Sequence, residues 1–95
     1  MVVGTATVEL LLHGVHSLKE KRSIVRSVIQ RVRNHFHVSI AEVDSLDDHA
    51  KATLGLAFVT NDTRLANSLL DQAVESIEGY GLAELGRVHL ELLHV

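Results

Sequence analysis

Polar and apolar residues alternate in four segments of the chain, which is the period of a half-buried β-strand. In the first segment Val8 and Leu10 fall on one side, and Thr7 and Glu9 fall on the other. The apolar side predicts the core face, so the sheet should keep one face for the core and one open. The predicted strands span residues 2–12, 38–44, 50–60 and 87–95.

Two further segments carry apolar residues at three- and four-residue spacing, which predicts amphipathic helices. The first helix begins at Leu18 and runs for about five turns. Its predicted apolar stripe consists of Leu18, Val25, Val28, Ile29, Val32 and Phe36. The second helix ends near Gly79 and Gly81, with a stripe of Leu65, Leu69, Leu70, Ala73, Val74 and Ile77.

Both helices are preceded by residues that favour a helix start. Ser17 and Glu20 have the spacing of a capping box, in which the hydroxyl and the carboxylate accept from each other's backbone N–H groups. Asn61 is the predicted N-cap of the second helix.

The element order is therefore β-α-β-β-α-β. This order predicts an α+β two-layer sandwich of the ferredoxin-like type, with a four-stranded antiparallel sheet and both helices on one face. The 95 residues, 46% of them hydrophobic and 22% charged, predict a single domain over residues 1–95. No apolar run reaches the length needed to cross a membrane, so we expect a cytoplasmic protein.

The charge is distributed unevenly along the chain. Residues 17–37 hold six basic side chains and one acidic one, although the net charge of the whole chain is −3. At 100° per residue, Lys19, Arg22, Arg26 and Arg33 fall on one flank of the first helix. A polyanion responds to such a local patch more than to the net charge.

The basic residues allow two interpretations. Lys19, Lys21 and Arg22 at a helix start oppose the helix dipole unless an anion binds there, and the flank could follow the phosphates of RNA. Alternatively, Glu20, Glu42 and Asp44 neutralise the helix start, and the flank pairs with the acidic second helix. The residues proposed for nucleic-acid or anion binding are Lys19, Lys21, Arg22, Arg26 and Arg33.

The open sheet face predicts little base stacking. Aromatic residues make up only 3% of the chain. The residues predicted on this face are Thr5, Thr7, Glu9, Thr53, Gly55, Ala57 and Val59. Because sheet faces and edges are usually covered, we expect a homodimer through this face or through an edge strand.

Neither a metal site nor a cofactor is predicted. The seven histidines include the pairs His13 and His16, and His35 and His37, but neither pair has the i, i+4 spacing of a zinc-binding helix, and cysteine is absent. An acylphosphatase-like activity is a further alternative, since "LHGVHS" follows the first strand as a phosphate loop would. That loop lacks an arginine, and the second strand ends in Glu42 and Asp44, whose carboxylates would repel phosphate.

The segments "SLKEKRSIVRSVIQRVRNHFHVSIAEVD" and "LGLAFVTND" resemble the YlxP-like family of small bacterial proteins of unknown function. The resemblance implies a ferredoxin-like fold and genes that lie near those of translation-initiation and ribosome-maturation factors. It transfers no catalytic residue. Two features depart from the family pattern, namely His37 in place of asparagine and "DDHAKA" in the connection that follows. We therefore expect a non-enzymatic module that associates with RNA or the ribosome, and an interaction homodimer is the alternative.

Overall fold

The computed structural model describes residues 1–95, and all six predicted elements are present in the predicted order. The strands pair in the order β2-β3-β1-β4, and every neighbouring pair is antiparallel. This is the ferredoxin-like α+β sandwich. The elements are β1 Val2–Leu11, α1 Leu18–His35, β2 Ser39–Asp44, β3 Lys51–Thr60, α2 Thr63–Gly79 and β4 Glu84–His94.

The core lies between the helices and the inner face of the sheet. Val8 of β1 sits opposite Leu54 of β3 and Val88 of β4, so these positions share the inner face, although Val88 on the edge strand is exposed. The two helices cover that face with their apolar stripes. The buried helix residues are Lys21, Val25, Val28 and Val32 in α1, and Ala66, Leu70, Ala73 and Ile77 in α2.

The second helix packs closely over the start of β1. A Cβ atom added to Gly4 would lie 2.8 Å from Cδ1 of Leu70, so the helix uses the space that a larger residue would occupy. α2 thereby lies over β1, one of the two central strands of the sheet, and α1 lies toward the β2 edge.

The last strand begins at Glu84, three residues before its predicted start. Its register against β1 shifts between Val8 and Leu10, which is the mark of a β-bulge. A Cβ atom at Gly86 would lie 2.6 Å from Oε1 of Glu9, so glycine fits where the strand bulges past that side chain. The bulge interrupts the alternation from which the strand was predicted.

The cap of α2 was predicted one residue too early. The N-cap is Asp62, whose Oδ1 accepts from the backbone N–H groups of Arg64 and Leu65 at 3.0 and 3.2 Å. Asn61 makes no such bond, and the prediction that it caps the helix is wrong. Both residue types favour N-caps, so sequence alone does not separate two neighbours.

The caps can be compared by substitution. Asp62→Ala should lower the free energy of unfolding by about 1 kcal/mol, because two backbone donors lose their acceptor. Asn61→Ala should change it by less than about 0.5 kcal/mol. Urea unfolding of the two variants measures the difference, and equal losses would contradict the assignment of Asp62.

Candidate nucleic-acid interface

Lys21 does not belong to the exposed basic surface, and its prediction as an anion contact is wrong. Lys21 is 0% exposed to solvent. The ammonium Nζ donates to the carbonyls of Ser45 and Asp48, each at 2.5 Å, and lies 2.9 Å from Oε2 of Glu42. The cation is fully engaged inside the protein, because its hydrogen bonds go to three backbone carbonyls, the third being that of Leu46 at 3.5 Å, and its charge is paired with that of Glu42.

The sequence contained a signal for this burial. Positions 21, 25, 28 and 32 continue the helical spacing of the apolar stripe one turn toward the N-terminus. A lysine at that position buries its aliphatic stem in the core and needs acceptors for its head. The turn between β2 and β3 supplies them, and one of its residues, Ser45, has a left-handed φ of 61°.

Lys21 can be tested as a structural residue. Lys21→Ala should lower the free energy of unfolding by about 3 kcal/mol, because it leaves the Glu42 carboxylate and two carbonyls without a cation. The double variant Lys21→Met, Glu42→Gln should cost less than half as much, since it removes both charges. Chemical denaturation measures both, and a Lys21→Ala variant as stable as the wild type would contradict the role.

The cap residues satisfy part of the backbone donors at the start of α1. Ser17 is the N-cap, and its Oγ accepts from the Glu20 N–H at 3.1 Å. The Glu20 carboxylate accepts from the N–H of His16 at 3.2 Å, one residue before the donor expected in a capping box. A carboxylate therefore already occupies one of the loop donors, the His16 N–H, beside the place that an anion would use.

The same loop is not arranged as a phosphate cradle. His13 contacts the carboxylate of Glu84 at 2.5 Å, so a second acidic residue borders the loop. Carboxylates at both points would repel a phosphoryl group. Nothing in the loop favours the acylphosphatase-like alternative.

Three arginines of α1 face the edge strand β2 and form one side of a groove of about 340 Å³. All three are exposed. We call it the basic groove; it is lined by Arg22, Val25, Arg26, Ile29, Arg33, Ile40, Ala41 and Glu42. Its floor is aliphatic and its helix side is cationic, because the helical spacing places these arginines beside the buried stripe.

No arginine of the basic groove forms an ion pair, and the one carboxylate that lines the groove, that of Glu42, is paired with Lys21. The four ion pairs of the structure join His13 to Glu84, Lys21 to Glu42, Lys51 to Glu9 and His89 to Glu91. None joins an arginine of α1 to the acidic residues of α2. The interpretation in which the flank pairs with Asp71, Glu75 and Glu78 therefore has no ion pair to support it.

Arg33 is oriented by a hydrogen bond. Its Nη2 donates to the carbonyl of Ile40 at 3.1 Å, which links the end of α1 to the beginning of β2. A guanidinium has five N–H donors, so the others remain for a ligand. This arginine is held in place before any ligand arrives.

The other basic residues of α1 lie outside the groove. Lys19 is exposed near the helix start and does not line it. Arg31 lies on another side of the helix, with its guanidinium carbon 5.4 Å from the centre of the Tyr80 ring. The basic flank predicted from the sequence thus reduces to Arg22, Arg26 and Arg33 in one groove, with Lys19 beyond its end.

The open face of the sheet has the composition expected from the sequence. Thr5 and Thr7 of β1 and Gly55 and Ala57 of β3 line a shallow depression of about 410 Å³. Phe58 lies on the opposite, helix-facing side, because it pairs with Gly4 under α2. No phenylalanine, tyrosine or tryptophan ring is displayed on the open face for base stacking, although the exposed imidazole of His89 lies on this face opposite Thr7.

No three His, Cys, Asp or Glu side chains come together in a group that could hold a metal ion. No helix combines the length and hydropathy required of a membrane span. The features that define the basic groove are its row of arginines and its aliphatic floor.

The fold defines the class of protein, a small ferredoxin-like α+β sandwich, here with a basic groove between the first helix and an edge strand. The chain belongs to the family described as "Protein of unknown function (DUF503)", which matches residues 3–90. It is similar to the uncharacterized protein YlxP of Bacillus subtilis (strain 168), with 29% identity over 79 residues, 83% of this chain and 86% of that protein. The resemblance to the YlxP-like family is thereby confirmed.

Solved structures share the fold at low sequence identity. The structural-genomics protein YJCS has a TM-score of 0.52 at 10% identity, covering 94% of this chain and 96% of its own. SnoaB, a cofactor-independent oxygenase from Streptomyces nogalater, has a TM-score of 0.51 at 11% identity, covering 98% of this chain and 92% of its own. An antibiotic biosynthesis monooxygenase has a TM-score of 0.51 at 12% identity, covering 100% of this chain and 98% of its own. Likeness at this level concerns the fold alone.

Proposed function

We propose that this protein is a non-enzymatic module that binds RNA, alone or within the ribosome, through the basic groove. The observation that carries the proposal is the set of three exposed arginines without carboxylate partners beside one edge strand. Phosphate backbones are the polyanions that such a row of guanidinium groups matches in both charge and geometry. Such a role would place the protein in the cytoplasm.

The spacing of the arginines supports an extended ligand. Arg22 and Arg26 are one helical turn apart, and Arg33 follows about two turns later, so the row extends along the helix for roughly 16 Å. A single small anion would contact one end of this row. A nucleic-acid backbone can contact all of it, with Lys19 extending the row at the helix start.

Salt-dependent RNA binding tests the proposal. The variant Arg22→Glu, Arg26→Glu should bind an unstructured RNA more weakly than the wild type, and its slope of log K against log salt should fall by about 1.4, the value for two lost phosphate contacts on a single strand. Arg33 is left intact because it also holds Ile40. Fluorescence anisotropy over a salt series measures both quantities.

A matched control separates the groove from overall charge. Arg64→Glu, Arg87→Glu changes the net charge by the same amount at two exposed residues outside α1. This control should keep the wild-type slope. If both variants lose the same RNA affinity and salt slope, binding depends on the net charge of the protein and not on the groove. If the wild type does not bind RNA at low salt, the proposal is overturned.

The open sheet face favours a second candidate, a homodimeric interaction module. The depression at its centre is lined by uncharged residues, whereas the Glu9 and Lys51 pair lies toward one end and the His89 and Glu91 pair lies along β4. This distribution matches the apolar core and polar rim of protein interfaces. Four strands about 4.8 Å apart, with central strands of ten residues at about 3.3 Å each, present roughly 600 Å². That area approaches what each partner buries in a standard interface, about 800 Å².

Sedimentation tests the dimer independently of RNA. The wild type should sediment at twice the 10.4 kDa of one chain. Ala57→Glu should shift the protein to monomer, because it places a carboxylate at the centre of the face. Asn67→Glu on the exposed side of α2 serves as the control. A wild type that stays monomeric at high micromolar concentration would rule this candidate out.

A further inference from the structure

A second depression lies where the basic groove ends, beside the first residue of β2. β2 begins at Ser39 opposite Ala57, whereas β3 continues to Thr60. The outer edge of β3 therefore lacks a neighbouring strand over residues 58–60, and the connection between α1 and β2 borders the gap. We call this the end hollow; it holds about 610 Å³ and is lined mainly by Arg33, Phe36, His37, Val38, Phe58 and Val59.

The end hollow contains two of the three aromatic side chains of the protein. Phe36 and Phe58 are both only partly buried, although rings of this size are usually taken fully into a core. No acidic residue lines the hollow. It therefore combines flat apolar surface with positive charge, which suits a π-system attached to an anion.

Arg33 connects the end hollow to the basic groove, because it lines both. Its hydrogen bond to Ile40 keeps the guanidinium at the boundary between them. A phosphate bound to the free N–H groups of Arg33 would place the attached nucleoside at the mouth of the hollow. The volume lies within the range of sites for small organic groups, about 300–1,000 Å³.

We infer that the end hollow seats one unpaired base of a single-stranded RNA whose backbone lies in the basic groove. This inference rests on the proposed function and adds the form of the RNA. A base within a duplex is stacked and paired, so it cannot enter a hollow in the protein. The protein should therefore bind single strands, loops or bulges in preference to duplex RNA.

The test compares two probes that differ only in their bases, a short oligouridine RNA and an abasic oligonucleotide of equal length. Phe58→Leu keeps an apolar side chain and removes the ring. It should weaken oligouridine binding by about fivefold or more, the effect expected when one stacked base is lost, and should leave abasic binding within about twofold. Its salt slope should match the wild type, because no phosphate contact is lost.

Two further variants complete the design. Phe36→Leu removes the other ring and should give the same pattern, so the test survives if Phe58→Leu does not fold. Tyr80→Leu removes the aromatic ring that lies under Arg31, away from the hollow, and should bind both probes as the wild type does. Circular dichroism and thermal unfolding establish that each variant is folded.

The outcomes separate this inference from the proposed function. If the wild type binds oligouridine and folded Phe variants bind both probes as well as it does, the end hollow takes no base and the groove alone explains binding. If both probes weaken equally, the rings act through the fold and the inference is overturned. If the wild type binds neither probe at low salt, the proposed function fails first.

Discussion

The structure depends on one buried cation. The ammonium of Lys21 lies on the core side of α1 and is held by the turn after β2 and by Glu42 within β2. Removing a charge from water is costly unless acceptors replace the solvent, so the turn must close over the lysine for the helix to pack. This requirement fixes the start of α1 against β2, an edge strand that has only one neighbour in the sheet.

The basic groove is a consequence of that attachment. Lys21 secures one end of α1 to β2, and the Arg33 hydrogen bond to Ile40 secures the other. Between these two points the helix and the strand run side by side, and Arg22 and Arg26 lie along the helix on the same side as the strand. The buried lysine is thus excluded from the proposed contact with RNA, yet it positions the arginines that the proposal assigns to that contact. Of the six basic residues between positions 17 and 37, three, namely Arg22, Arg26 and Arg33, therefore line the same groove.

Periodicity was sufficient to predict the fold because each element obeys its own pattern. Val8, Leu54 and Val28 occupy the inward positions that alternation and helical spacing assign to them. The start of β4 was missed because the bulge at Gly86 breaks the alternation. The cap was misplaced because Asn61 and Asp62 are chemically equivalent candidates, and only the backbone conformation separates them.

The candidate site was less predictable for an electrostatic reason. Charge alone places Lys21 with Arg22, whereas burial separates them, and burial depends on a turn 24 to 27 residues further along the chain. The end hollow was also missed, because the partly exposed positions of Phe36 and Phe58 follow from where β2 begins relative to β3. The lengths of the two strands were predicted from the sequence, but the register that places Ser39 opposite Ala57 arises from pairing and leaves no local pattern in the sequence.

The central claim is that RNA lies between α1 and β2. The most direct measurement is the titration of isotope-labelled protein with a short unstructured RNA, followed by the shifts of backbone amide resonances in nuclear magnetic resonance spectra. We expect the largest shifts in residues 22–33 and at Ile40 and Ala41, with little change along the exposed side of α2. Shifts centred on α2 or β4, or no shift at low salt, would contradict it.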